Sequence, residues 1–136
     1  AVSNPDFVRE AIVRYGPEKV AVGIDAKDGH VRTAGWVRDE GLDYLQFAKS
    51  MESIGVKYII FTDIDTDGTL SGPALGRLEA LQKAVGCAIT ASGGVRSNGD
   101  LRRLRDMGLY AAIVGKAYYA GAVDLALAVE EGGEQV

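Results

Sequence analysis

Carboxylates, a hydroxyl and two glycine turns stand at the ends of four short apolar runs, where a folded chain can put them to chemical use. The runs read Val20-Ala21-Val22-Gly23-Ile24-Asp25, Tyr58-Ile59-Ile60-Phe61-Thr62-Asp63, Ala88-Ile89-Thr90-Ala91-Ser92-Gly93-Gly94 and Ala111-Ala112-Ile113-Val114-Gly115-Lys116. Asp25 follows five apolar or glycine residues. A carboxylate held there, partly desolvated, suits a general acid or base, with a turn or cap residue as the plainer reading. Asp67 lies in Asp67-Gly68-Thr69, an ordinary turn when taken alone. Its company favours function, because Thr62, Asp63, Asp65 and Asp67 crowd one strand end. Thr62 shares a strand face with Ile60, so its hydroxyl is expected at the rim, where it can orient a carboxylate or a ribose oxygen.

The glycines suggest an anion. In Ser92-Gly93-Gly94 and Val114-Gly115-Lys116-Ala117, glycine between strand and helix lets backbone N–H groups approach a phosphate, and the helix N-terminus adds partial positive charge. Gly93, Gly94 and Gly115 are therefore the expected phosphate grip. Lys116 either adds a cation or extends into solvent. Trp36 sits in a long glycine-flanked connection and is a candidate to stack on a planar ring, with core packing as the alternative. His30 reads as a solvated loop residue and Cys87 as a buried small hydrophobe.

The elements that must position these residues follow from periodicity. Asn4-Pro5-Asp6 caps a helix carrying Phe7, Val8, Ala11, Ile12 and Tyr15, which Gly16-Pro17 ends. After the first strand, residues 26–36 form a long polar connection with Asp28-Gly29 as a hairpin-type turn signal. Leu42, Leu45, Ala48, Met51 and Ile54 predict a second helix, and Pro73 opens a third with Leu75, Leu78, Leu81 and Val85. Ser97-Asn98 caps a fourth, and a last helix spans about 123–130, followed by a frayed tail over 131–136. Near-continuous apolar strands alternating with helices imply an α/β fold with parallel strands covered by helices, whose function collects at the strands' carboxyl ends.

Bulk properties narrow the classes. With 136 residues, 47% hydrophobic and 25% charged, the chain is one domain of ordinary globular composition. A net charge of −4 gives no footprint for nucleic acid. No apolar stretch reaches membrane-spanning length and no signal peptide opens the chain, so a cytoplasmic setting without membrane partners is expected. One Cys and one His leave no internal disulfide and no structural zinc site, and no metal is expected. The chain opens on Ala1 rather than Met, and with a helix ahead of its first strand, as though cut from something longer. Two architectures fit. One is half of a (β/α)8 barrel, since a complete barrel takes ~250 residues. The other is a small open doubly wound sheet of flavodoxin type.

The motifs in combination resemble one family. Val22-Gly23-Ile24-Asp25-Ala26-Lys27-Asp28-Gly29 with Gly35-Trp36, then Phe61-Thr62-Asp63-Ile64 with Asp67-Gly68-Thr69-Leu70-Ser71-Gly72-Pro73, then Ala91-Ser92-Gly93-Gly94-Val95 and Ile113-Val114-Gly115-Lys116-Ala117, are similar to the second half of the phosphoribosylformimino-aminoimidazole carboxamide ribotide isomerases of histidine biosynthesis. The resemblance implies a TIM barrel of which this chain carries the fifth to eighth strands. It implies an Amadori rearrangement of an aminoaldose to an aminoketose, without cofactor or metal. The substrate is a ribotide with two phosphates, one gripped at each end of the cleft. Asp25 corresponds to the fifth-strand aspartate often assigned as proton donor, Thr62 to the sixth-strand threonine, and Asp67 to a second carboxylate for which an acid role is also proposed. Trp36 matches the loop tryptophan that swings over the imidazole, and Gly93, Gly94, Gly115 and Lys116 match the phosphate grip. The base lies on the family's first strand, so the chain is expected to be inactive without an amino-terminal half-barrel. The alternatives are a self-associating, phosphate-binding half-barrel without catalysis, and half of the sister cyclase, imidazole glycerol phosphate synthase. The cyclase is expected to carry a longer excursion after Asp25-Ala26-Lys27 and a Thr-Ser in place of Thr62-Asp63, and both features point to the isomerase here.

Overall fold

The computed structural model describes residues 1–133 and places strands at Ala21–Lys27 (β1), His30–Thr33 (β2), Arg38–Asp43 (β3), Tyr58–Asp63 (β4), Ala88–Ser92 (β5) and Ala111–Ile113 (β6). Helices occupy Pro5–Tyr15 (α1), Tyr44–Ser53 (α2), Leu75–Ala84 (α3), Asn98–Asp106 (α4), Lys116–Tyr119 (α5) and Leu125–Gly132 (α6). The capping chemistry fixes their starts. Asn4 accepts from the Phe7 N–H at 3.2 Å, Asp43 from Leu45 and Gln46 at 2.9 and 3.0 Å, and Ser97 from Asp100 at 3.3 Å.

All strands join one sheet in the order β3-β2-β1-β4-β5-β6. β1, β4, β5 and β6 are parallel and adjacent in chain order. Successive crossovers of one hand between neighbouring strands put the connecting helices on the same face. Burial agrees with that. Val22, Ile24, Ile59, Phe61, Ile89 and Ala91 are buried in one core with Phe47 and Met51 of α2, Leu78 and Leu81 of α3, and Leu104 of α4. Tyr44 packs its ring 5.1 Å from Phe61 within it. Covering Phe61 alone is worth about 2–3 kcal/mol. The alternate residues lie on the other face, where Ala21, Gly23, Ala111 and Ile113 are exposed and Ile60, Thr62, Thr90 and Ser92 only half-buried.

Three expectations change. Doubly wound sheets reverse their strand order at a switch point; the parallel strands described here run in sequence, so the flavodoxin-type alternative does not fit. The polar connection after β1 contains structure of its own: β2 and β3 form an antiparallel ribbon that attaches to β1 through Ala26 and Lys27. Asp28 and Gly29, both at positive φ, make the turn that the dipeptide signalled. The tail begins later than expected, because Glu131 is helical and receives three hydrogen bonds from Arg102 at 2.8 to 2.9 Å. Residues 134–136 of that tail lie outside the described residues. Among the described residues, no helix is long and apolar enough to cross a membrane.

Candidate active site

Parallel register places the candidate residues. Asp25 of β1 stands opposite Thr62 of β4, Thr62 opposite Ser92 of β5, and Ser92 opposite Ile113 of β6. These four residues form a row across the sheet near its carboxyl edge, on the face that the helices leave open. Side chains alternate along a strand, so each apolar residue beneath the helices turns its neighbour to this side. Thr62 therefore reaches the rim as expected.

Trp36, at the far side of the ribbon, comes back to the same edge. Its indole Nε1–H donates to Asp25 Oδ2 over 2.7 Å, while the ring stays 42% exposed. Ala34, Gly35 and Trp36 all take positive φ, and this left-handed run folds the β2–β3 connection back over β1. The ring is thus a rim residue rather than core.

Beside the row lies a cleft of about 270 Å³ between the loops that follow β4, β5 and β6. Asp67, Ser92, Gly93, Gly94, Gly115 and Lys116 line it, with Gly68, Leu70, Val95 and Ile113. Lys116 crosses the opening and donates from Nζ to the Gly68 carbonyl at 3.1 Å. The cleft therefore holds one carboxylate, one ammonium and two glycine turns. Asp25, Thr62 and Trp36 are not among its lining residues; Ser92 and Ile113, common to row and cleft, join the two groups.

The glycines differ in what they do. Gly93 and Gly94 have φ of 98° and 80°, a region that other residues rarely enter. A Cβ at Gly93 would stand 2.8 Å from the Asp63 carbonyl, and one at Gly94 would collide with the Gly72 carbonyl and lie 2.8 Å from Thr66 Cβ. Gly72 N–H also donates to Gly94 O at 2.9 Å. This pair is thus required for backbone packing against the loop after β4, whatever it binds. Gly115 has open space where a side chain would go.

The crowd of carboxylates after β4 divides. Asp63 points to the helix side, is 1% exposed, and pairs with Arg77 of α3 at 2.5 Å. Arg77 also holds Asp65 at 2.8 Å, and Asp65 accepts the Asp28 N–H at 2.9 Å. The Arg77 hydrogen bond, then the Asp28 N–H, hold the Asp65 carboxyl below the usual aspartate range, and Asp65 in turn pushes the guanidinium up. Asp63 further organises the turn: its carbonyl accepts from Asp67 N at 2.9 Å and its Oδ1 from Thr66 N at 3.1 Å. Asp63 and Asp65 are thus supports that fix the loop, and Asp67 is the carboxylate left facing the cleft. Sequence reasoning missed Arg77, which reads as a solvent-facing charge on an amphipathic helix. It also gave Ser92 no role beyond the turn it precedes.

Residues 1–124 match the family model described as histidine biosynthesis protein. The chain is 53% identical over 125 residues to a 1-(5-phosphoribosyl)-5-((5-phosphoribosylamino)methylideneamino) imidazole-4-carboxamide isomerase of Listeria welshimeri, covering 92% of this chain and 52% of that protein. It is 52% identical over 130 residues to the protein of that name from Clostridium novyi, covering 96% and 54%, and 50% identical over 125 residues to that of Bacillus thuringiensis, covering 92% and 52%. The chain spans about half the length of the curated relatives it matches.

Proposed function

Because the chain belongs to the histidine biosynthesis protein family, we propose that its 136 residues form the carboxyl-terminal half-barrel of an isomerase that converts a bisphosphorylated aminoaldose ribotide into an aminoketose. β1, β4, β5 and β6 then take the places of the family's fifth to eighth strands. One observation carries the reading: the Asp25–Thr62–Ser92 row lies beside a cleft lined by Asp67, Gly93, Gly94, Gly115 and Lys116, on an open sheet face. The strands are composed for burial on both sides, yet Ala21, Gly23, Ala111 and Ile113 are exposed. β1 pairs with β2 only through Ala26 and Lys27, and among the described residues nothing pairs beyond β6. Both edges and the inner face therefore accept a second set of strands.

The rearrangement needs a proton delivered to the ring oxygen as the bond from C1 breaks, and a proton removed from C2. In a ribosyl 5-phosphate the ring oxygen is bonded to C4, next to the carbon that bears the phosphate ester. With the phosphate in the glycine-lined cleft, Asp67 stands on the ring-oxygen side and acts as the acid. Asp25 and Thr62 face the C1 end, and Trp36 leaves Asp25 to stack on the imidazole. The base and the second phosphate grip come from the amino-terminal half.

Mixing this chain with a separately expressed amino-terminal half of a relative such as the Clostridium novyi protein is expected to restore isomerisation, while each half alone is inactive. Efficient turnover by the chain alone, or no activity in any such mixture, overturns the reading. A second reading, a phosphate-binding half-barrel that pairs with another copy of itself without catalysis, is favoured by Tyr110 and Ile113, exposed at 66% and 45% on and beside the β6 edge. A solution mass of two protomers together with failed complementation would select it.

A further inference from the structure

Two side chains in the row carry a hydroxyl, Thr62 and Ser92, and of these Ser92 stands in both halves of the site. Ser92 pairs with Thr62 on one side and Ile113 on the other, and it also lines the cleft that holds Asp67, Gly115 and Lys116. The neighbouring loop hydroxyls are already engaged within the protein: Thr66 donates to the Asp63 carbonyl at 3.2 Å, and Thr69 lies 2.6 Å from both the Thr66 carbonyl and Ser71 Oγ. The Ser92 hydroxyl has no such partner among the described residues, although it can donate once and accept twice. Neighbouring strands lie ~4.8 Å apart, so Ser92 stands about one strand spacing from Thr62 and about two from Asp25. A ribosyl phosphate that leaves its phosphate between the β5 and β6 turns and extends its sugar toward Thr62 passes over this residue.

We propose that Ser92 is a sugar-binding residue whose hydroxyl hydrogen-bonds a ribosyl hydroxyl, so that the site distinguishes a phosphorylated pentose from free phosphate. This rests on the reading of the cleft as a phosphate grip. The separation of roles is physical: the glycine turns and Lys116 recognise charge, which both ligands carry, whereas the neutral Ser92 hydroxyl, where cleft and row meet, is assigned to the sugar.

The test is calorimetric titration of the purified chain with ribose 5-phosphate and with inorganic phosphate. The wild-type chain is expected to bind both, ribose 5-phosphate more tightly. Ser92→Ala is expected to weaken ribose 5-phosphate about three- to tenfold, the worth of one hydrogen bond, and to leave inorganic phosphate unchanged. Ser92→Thr, which keeps the hydroxyl, is expected to retain the preference for the sugar. No sugar preference in the wild type, or equal effects of Ser92→Ala on the two ligands, overturns the role of Ser92 while the phosphate grip stands. Failure of the wild-type chain to bind inorganic phosphate removes the grip itself and the Ser92 proposal with it.

Discussion

The indole nitrogen of Trp36 donates to the carboxylate of Asp25 across 2.7 Å, joining the return of the β2–β3 ribbon to the end of β1. Trp36 is the chain's only tryptophan, so its fluorescence reports this one contact. Asp25→Ala is expected to shift the emission toward that of a solvated indole and to increase quenching by acrylamide. The stability cost is about 1 kcal/mol, because the ring is already half in water. Identical emission and quenching in wild type and variant would mean that the bond does not hold the ring.

Arg77 is the residue on which the rim's underside depends. Asp63 is buried, and its charge is matched by this guanidinium alone among the described residues. Arg77→Met strands a buried carboxylate and is expected to cost about 3 kcal/mol in chemical denaturation. Because Asp63 also accepts from the backbone of Thr66 and Asp67, the loop carrying Asp67 should loosen too, visible as faster amide exchange over residues 64–72. The double variant Arg77→Met, Asp63→Asn is expected to recover part of the loss, since a neutral amide is cheaper to bury. Equal stability of wild type and Arg77→Met would remove the buried pair as a support.

The four parallel strands were legible because their apolar runs are bounded by glycine, proline or charge, and β4 occupies the run that its sequence outlines, Tyr58–Asp63. Asp67, Gly93, Gly94, Gly115 and Lys116 were legible as a group because loops after adjacent parallel strands must lie side by side. The β2–β3 ribbon was not. Only Val31 of its residues in β2 is buried, so no alternating pattern marks it beyond the Asp28-Gly29 turn. Nor was the Trp36–Asp25 bond, for no local rule relates residues on a turned-back ribbon and the strand it crosses. The division of Asp63 from Thr62 was implicit in strand alternation, but its consequence, a buried charge needing Arg77, depends on how α3 packs.

Acid should release the tie between the two loops. Asp65 is held below its ordinary value by Arg77 and the Asp28 N–H, so its ionised form is favoured in the folded chain. A depressed carboxylate gives its full stabilisation above the unfolded value, about 3.9, and loses it as pH falls through the lower folded value. Asp65 is partly exposed, which limits the contribution to about 0.5–1 kcal/mol. Asp65→Asn is therefore expected to lower stability by that amount at pH 7 and to converge with wild type as pH falls through the lowered folded value. Parallel stability curves for the two proteins from pH 7 down to acid unfolding would show that the tie contributes nothing.

The two glycine turns separate binding from folding, and the distinction decides which variant can test the cleft. A side chain at Gly94 must enter both a left-handed backbone region and the space held by the Gly72 carbonyl. Gly94→Ala is expected to destabilise by about 2 kcal/mol or more, so weaker ligand binding in that variant reports damage to the loop. Gly115 has φ of −108° and ψ of −106° with open space at its Cβ position, so Gly115→Ala meets no steric clash and is expected to cost less stability than Gly94→Ala. Gly115→Asp places a carboxylate where the phosphate is proposed to lie, without a clash at its Cβ position. Inorganic phosphate binding should then fall by more than tenfold, because like charges at contact distance cost over 1.4 kcal/mol where water is partly excluded. Unchanged phosphate affinity in a folded Gly115→Asp chain would move the anion out of this cleft, and with it the alignment that brings a ribosyl ring to Asp67.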